Sequence, residues 1–172
     1  MGSDKAALTY LDIPFIDHVV GTLSVVLRDV VVCGGSYAGP LEVLADPIPD
    51  AGPLAGILAA LEHAAGRPVF VCAVDLPLVS ASLVSSLVEP EMSAAAARVA
   101  IQSDDGTVQP LCGVYGPGVG DLIRTRLDRG HRSVFGLLAE LDVVEHVSVD
   151  PHTLTNVNTP QDLALLEPRG LT

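Results

Sequence analysis

One lysine, no tryptophan and three phenylalanines are all that 172 residues contain of those types. Aromatics make up 3% of the chain, so a core has to be built from Val, Leu, Ile and Ala. Basic residues are scarce as well: nine, against 21 acidic ones, for a net charge of −12. That balance excludes a nucleic-acid binder, which needs a basic footprint. It leaves room for a small anionic ligand only where the site is locally positive. Lys5 is the sole lysine, and Arg124, Arg126, Arg129 and Arg132 form the one basic cluster. No apolar stretch reaches membrane-spanning length without a charge, Pro or Gly, so no membrane span is expected. Met1-Gly2-Ser3-Asp4-Lys5 lacks the basic-then-apolar order of a secretory signal, and a cytoplasmic location is the simplest expectation. Cys33, Cys72 and Cys112 have no short paired spacing, which favours buried thiols over zinc ligands or disulfides.

What is present is apolar and alternating. Hydrophobic residues are 49% of the chain, enough for one domain over residues 1–172 with a real core. Strand-like and helix-like segments alternate, which predicts an α/β fold: a three-layer αβα sandwich with a Rossmann-like, mostly parallel sheet. Helices are expected from Pro14 to about Leu27, from Pro53, from Ser80 or Ser82 to Leu87, from Val119 to near Gly130, after Ser133, and from Pro160 to Leu166. Strands are expected at 30–33, 41–45, 69–74 and 143–149. A hairpin of 95–101 with 108–115 is expected to turn at Ser103-Asp104-Asp105-Gly106.

Asp75 stands out chemically. It ends the wholly apolar run Val69-Phe70-Val71-Cys72-Ala73-Val74 and is followed by Leu76-Pro77. Such a run reads as a strand buried on both faces. A carboxylate at its carboxyl end lies where open α/β sheets bind ligands. An acid there needs a cation, a proton or hydrogen-bond donors, and a divalent cation held with substrate phosphates is one answer.

Four further segments carry polar or backbone chemistry. The Gly2-Ser3-Asp4 turn can aim N–H groups at a phosphate that Lys5 neutralises, although N-terminal lysines are commonly solvated. Asp46 opens a stiff loop that ends in Gly52-Pro53-Leu54-Ala55-Gly56. Gly52 permits close backbone approach, and Pro53 suits the first helical position. The helix start then offers donors and a positive dipole end, though the same spacing equally serves a tight loop-to-helix connection. Arg129-Gly130-His131-Arg132-Ser133 places cations around a helix break, as a grip for a second anion or as a solvated cluster. Asn156-Val157-Asn158-Thr159-Pro160 sets two amides on one side of an extended segment, for a polar ligand or for the neighbouring turn.

Taken in order, these segments resemble the molybdenum cofactor guanylyltransferase family, of nucleotidyltransferase fold. Met1 to Lys5 is similar to the end of the family's nucleotide loop. Gly52-Pro53-Leu54-Ala55-Gly56 is similar to its guanine-side loop, and Val74-Asp75-Leu76-Pro77 to its metal-binding strand end. Gln109-Pro110-Leu111 with Tyr115 resembles a strand near its pterin side; Gly130 to Ser133 and Asn156 to Pro160 complete the series. Cys33 stands where the family often has Asn.

The resemblance implies transfer of GMP from GTP to a molybdopterin-type cofactor, giving the guanine dinucleotide form and pyrophosphate. By the same resemblance, Asp75 holds Mg²⁺ and Lys5 adds charge at the triphosphate. Asp46, Gly52, Pro53 and Leu54 lie on the nucleotide side. Asn156 and Asn158 serve metal or pterin phosphate, and Arg132 anchors the pterin. A molybdenum-insertion protein and apo-molybdoenzymes follow as further partners. The resemblance also implies a strand and a Leu-Ala-Gly-Gly turn ahead of Met1, and impaired turnover with self-association in a chain without them. Cytidylyl transfer, guanylyl transfer to another phosphate acceptor, and nucleotide binding without turnover are the competing expectations.

Overall fold

The computed structural model describes residues 9–10, 13–89, 91–94, 96–157 and 162. Two short antiparallel strands, β1 (Thr9–Tyr10) and β2 (Ile13–Pro14), lead into α1 (Phe15–Val26). Phe15, Val19 and Leu23 recur every four residues and are buried on its one apolar face. Next come β3 (Val32–Cys33) and β4 (Val43–Leu44), a parallel pair, and then α2 (Pro53–His63). Helix α2 buries Leu54, Ile57, Leu58 and Leu61, the face its spacing predicts.

The main sheet has four strands in the order β5-β7-β6-β8. They are β5 (Val69–Cys72), β6 (Ala97–Gln102), β7 (Val108–Tyr115) and β8 (Val144–Val149). Helix α3 (Ala81–Val88) follows β5; α4 (Val119–Asp128) and α5 (Val134–Glu140) lie between β7 and β8. Ser80 caps α3 by accepting from the Leu83 N–H at 3.3 Å, and Ser133 caps α5 through the Gly136 N–H at 3.1 Å. Two apolar clusters sandwich the sheet. One joins Leu54, Ile57, Tyr115, Ile123 and Leu137; the other joins Val19, Leu76, Val84, Leu87 and Leu154. The three-layer α/β architecture therefore stands.

The sheet is mixed rather than mostly parallel. β6 and β8 run parallel, but β7 is antiparallel to both β5 and β6. The cause is the hairpin: β7 returns from β6 through the 103–107 turn and inserts between β5 and β6. The ladder between β6 and β7 also breaks. Val99 faces Gly113, whereas Ala100 faces Gln109, so Pro110, Leu111 and Cys112 bulge out of that pairing.

The run 69–74 packs on both faces, Val69 and Val71 against one cluster and Phe70, Cys72 and Ala73 against the other, but every residue of β5 is only half-buried, less than its composition predicts. Among the described residues β5 is the edge of the main sheet, and β3 pairs only with β4. Both strands line a cavity of about 470 Å³, which α1 and α2 close with Val19, Val20, Leu23, Ile57 and Ala60. Among the described residues no helix is long and apolar enough to cross a membrane. The helix expected from Pro160 lies outside the described residues apart from Asp162.

Candidate active site

The strand directions gather the chemistry at one end of the sheet. β5 and β7 are antiparallel, so the carboxyl end of β5 meets the amino end of β7. β8, parallel to β6, brings its own carboxyl end to the same side. Asp75 follows β5, Gln109 begins β7, and Asn156 follows β8 after a 3-10 turn at Pro151–Leu154. A backbone bond closes the group: the Val157 N–H donates to the Asp75 carbonyl at 2.9 Å. The Gln109 Nε2–H donates to Asn156 Oδ1 at 3.3 Å.

Asp75 is half-buried at the edge of a cavity of about 290 Å³. Pro53, Phe15, Leu111 and Val157 share that lining. In this lining Asp75 thus joins Pro53, the first residue of α2. Gly52 precedes it with φ of 68° and ψ of −157°, a conformation that suits glycine alone. Helix α2 has no side-chain cap, but Pro53 has no N–H, the Ala55 N–H donates to the Gly52 carbonyl at 3.0 Å, and Leu54 and Ala55 are fully buried, so the exposed part of this turn is Gly52–Pro53. The Leu54 side chain is fully buried in the core, on the apolar face of α2 that its spacing predicts. Only its backbone belongs to the loop.

Asp46 occupies a neighbouring corner. Gly34 has φ of 71°, and a Cβ placed there would lie 3.2 Å from Asp46 Oδ1. The carboxylate is therefore packed on the turn after β3, whose Gly34 N–H donates to the Leu44 carbonyl at 3.0 Å. Burial, with the Asp46 carboxylate behind it, pushes the Cys33 thiol up to about 11. Cys33 also touches α2, since a Cβ at Gly56 would lie 3.3 Å from its own Cβ. Asp46, Cys33, Gly34 and Gly56 form one small-residue pocket edge. The two glycines after β3 are visible in the sequence, but their contact with Asp46 depends on the parallel pairing of β3 and β4.

The basic cluster divides. Arg126 is buried and ion-paired to Glu140, with Nη2 3.5 Å from the Ser133 carbonyl. Arg124 pairs with Glu62 at 2.7 Å. Arg129 and Arg132 are exposed on the connection from α4 to α5. Nothing in the structure brings Arg132 against Asp75. Lys5 and Asn158 lie outside the described residues. Gln109 is a site residue that side-chain chemistry alone did not single out; its place beside Asn156 arises from a long-range register.

A divalent cation fits this donor set in one way. Among the described residues no group of three or more His, Cys, Asp or Glu can hold a metal. Asp75 provides one hard oxygen ligand, and the cation's other ligands must come from substrate phosphates and water, the ordinary arrangement for Mg²⁺. The amides of Gln109 and Asn156 add neutral donors for anionic oxygens.

Comparison with known proteins agrees with this geometry. The family model of the MobA-like NTP transferase domain matches residues 1–145. A probable molybdenum cofactor guanylyltransferase of Mycobacterium bovis BCG is 33% identical over 180 residues, covering 95% of this chain and 85% of the relative. Its counterpart in Methanothermobacter thermautotrophicus is 30% identical, covering 96% and 91%. The crystal structure of molybdopterin-guanine dinucleotide biosynthesis protein A from Archaeoglobus fulgidus superposes with a TM-score of 0.78 at 26% identity, covering 96% of this chain and 90% of that one. The match of the family model to residues 1–145 and this breadth of similarity place the chain in the MobA-like NTP transferase family, as a nucleotidyltransferase.

Proposed function

We propose that the protein transfers GMP from GTP to a molybdopterin-type cofactor and releases pyrophosphate. The observation that carries this reading is the cavity in which Asp75 joins Pro53 at the start of α2. The names of the relatives support the choice of guanine nucleotide and pterin. In this reading the Gly52–Gly56 backbone and Asp46 serve the nucleotide, Asn156 and Asn158 serve the metal or the acceptor phosphate, Arg132 anchors the pterin, and Lys5 adds charge at the triphosphate.

In-line displacement at the α-phosphorus brings two anions together. The chain therefore has to orient them and neutralise charge, rather than supply a covalent nucleophile. Mg²⁺ at Asp75 supplies charge neutralisation at the triphosphate and the departing pyrophosphate. The exposed Gly52–Pro53 backbone at the start of α2 serves the nucleotide, and the Val157–Asp75 backbone bond keeps the amide segment beside the carboxylate.

Asp75→Asn tests the reading. Pyrophosphate release from GTP in the presence of molybdopterin should fall about 10²- to 10³-fold, with an unchanged melting temperature. CTP should be consumed far more slowly than GTP. Equal turnover with CTP, or full activity in Asp75→Asn, overturns the assignment.

A further inference from the structure

We propose that Gln109 is a positioning residue that fixes the polarity of the Asn156 amide, making Asn156 a hydrogen-bond donor to a phosphate oxygen rather than an oxygen ligand to a metal. The proposal rests on the nucleotidyltransferase reading of the site above and decides a role that the amide's chemistry leaves open.

The argument begins at the break in the sheet. Between Val99 and Ala100 the pairing jumps from Gly113 to Gln109, so residues 110–112 lose their partners on β6. Pro110 has no N–H to lose. Its carbonyl is taken by the buried Tyr115 hydroxyl at 2.6 Å. The Leu111 N–H is taken by the side chain of Gln109, whose Oε1 accepts it at 3.4 Å. The Leu111 carbonyl meets the Ala73 N–H at 2.8 Å, two residues before Asp75. The Leu111 carbonyl thus ties the bulge to the strand that carries the carboxylate, while the Tyr115 and Gln109 bonds hold it within β7.

An amide has one oxygen and one NH₂, and a neighbour decides which end faces where. With Oε1 committed to the Leu111 N–H, Gln109 can present only Nε2–H to Asn156. Asn156 must answer with Oδ1, and it does, at 3.3 Å. Its Nδ2–H₂ is then left on the other side. Asn156 is exposed, and the next residue, Val157, lines the cavity of Asp75 and donates to the Asp75 carbonyl, so those two N–H groups are left to solvent one residue from that lining. A donor pair there suits a phosphate oxygen and repels a cation. The backbone bulge, through two amides in series, sets the sign of the partial charge that faces the ligand.

The test uses the full chain and two variants. In Gln109→Glu both side-chain oxygens accept, so Asn156 must turn its NH₂ inward and face the ligand with oxygen. Gln109→Leu removes the constraint without adding charge. The first readout is ¹⁵N NMR of the Asn156 side-chain amide during titration with inorganic pyrophosphate in EDTA. In the unaltered chain its signals should shift with saturation. Gln109→Leu should bind pyrophosphate several-fold more weakly, and Gln109→Glu about tenfold more weakly or worse. The second readout is the kinetic split: KM for the phosphate substrate rises in both variants while the melting temperature holds.

An Asn156→Ala background provides the decisive cycle. There, Gln109→Leu should cost nothing further, because the group it orients is gone. Unshifted Asn156 amide signals, unchanged binding in Gln109→Glu, or an undiminished Gln109→Leu effect in Asn156→Ala would each overturn the proposal. If pyrophosphate shifts the Asn156 amide as described but no nucleotide is turned over, the functional reading fails and this one stands. If turnover is normal and the variants leave KM unmoved, the reverse holds.

Discussion

Asp75 was evident from the sequence because a carboxylate at the end of six apolar residues has few inexpensive explanations. Asp46 was not so well marked: a strand-end acid is common, and only the backbone of Gly34 against its oxygens gives it a place. That contact has a measurable consequence. Cys33 is held protonated by burial and then by Asp46, its pKa pushed from 9.0 to about 11. A group whose folded pKa is raised adds stability that is complete below its unfolded value and lost as pH rises through the folded one. For Cys33 the window is therefore from about pH 9 to about pH 11, and stability falls across it. Asp46→Asn removes the smaller cause, so alkylation of Cys33 by iodoacetamide at pH 9 should speed up severalfold. Cys112, fully buried, should stay unreactive in both proteins. An unaltered Cys33 rate would separate the two residues.

Elements were legible where their signals are local. Ser80 and Ser133 cap the helices they precede, and the Ser103–Gly106 turn closes the expected hairpin. Strand neighbours were not legible, because pairing is decided by distant contacts. β7 inserts between β5 and β6, which makes the sheet mixed and brings Gln109 to Asn156. The half-burial of β5 has the same origin. The Ala73 N–H bonds to β7, so by alternation Val71 also faces β7, while Phe70 and Cys72 turn their N–H groups toward the cavity beside β3. On the opposite wall Val32 and Gly34 bond to β4, which turns Val31 and Cys33 inward. Amide exchange in the present chain should therefore be at least about 100-fold faster at Phe70 and Cys72 than at Val71. Equal protection along β5 would mean that the edge is covered.

At the scale of the whole molecule, charge sets the terms. A net charge of −12 repels an anionic nucleotide at long range, so affinity has to come from groups within the cleft. Raising monovalent salt from about 10 to 100 mM shortens the screening length from about 30 to 10 Å. The value of kcat/KM for GTP should rise over that interval; a steep fall would point to cationic steering instead. The basic cluster does little to offset the repulsion, since Arg124 and Arg126 are tied up with Glu62 and Glu140. This leaves the cation at Asp75 as the main neutralising charge among the described elements, and it is the claim on which the functional account turns. Substituting Mn²⁺ for magnesium and recording amide relaxation with GTP present tests it most directly. The account predicts broadening centred on 73–75 and 156–157, dependent on GTP and absent in Asp75→Asn. Broadening centred elsewhere, or unchanged when the carboxylate is removed, would contradict it.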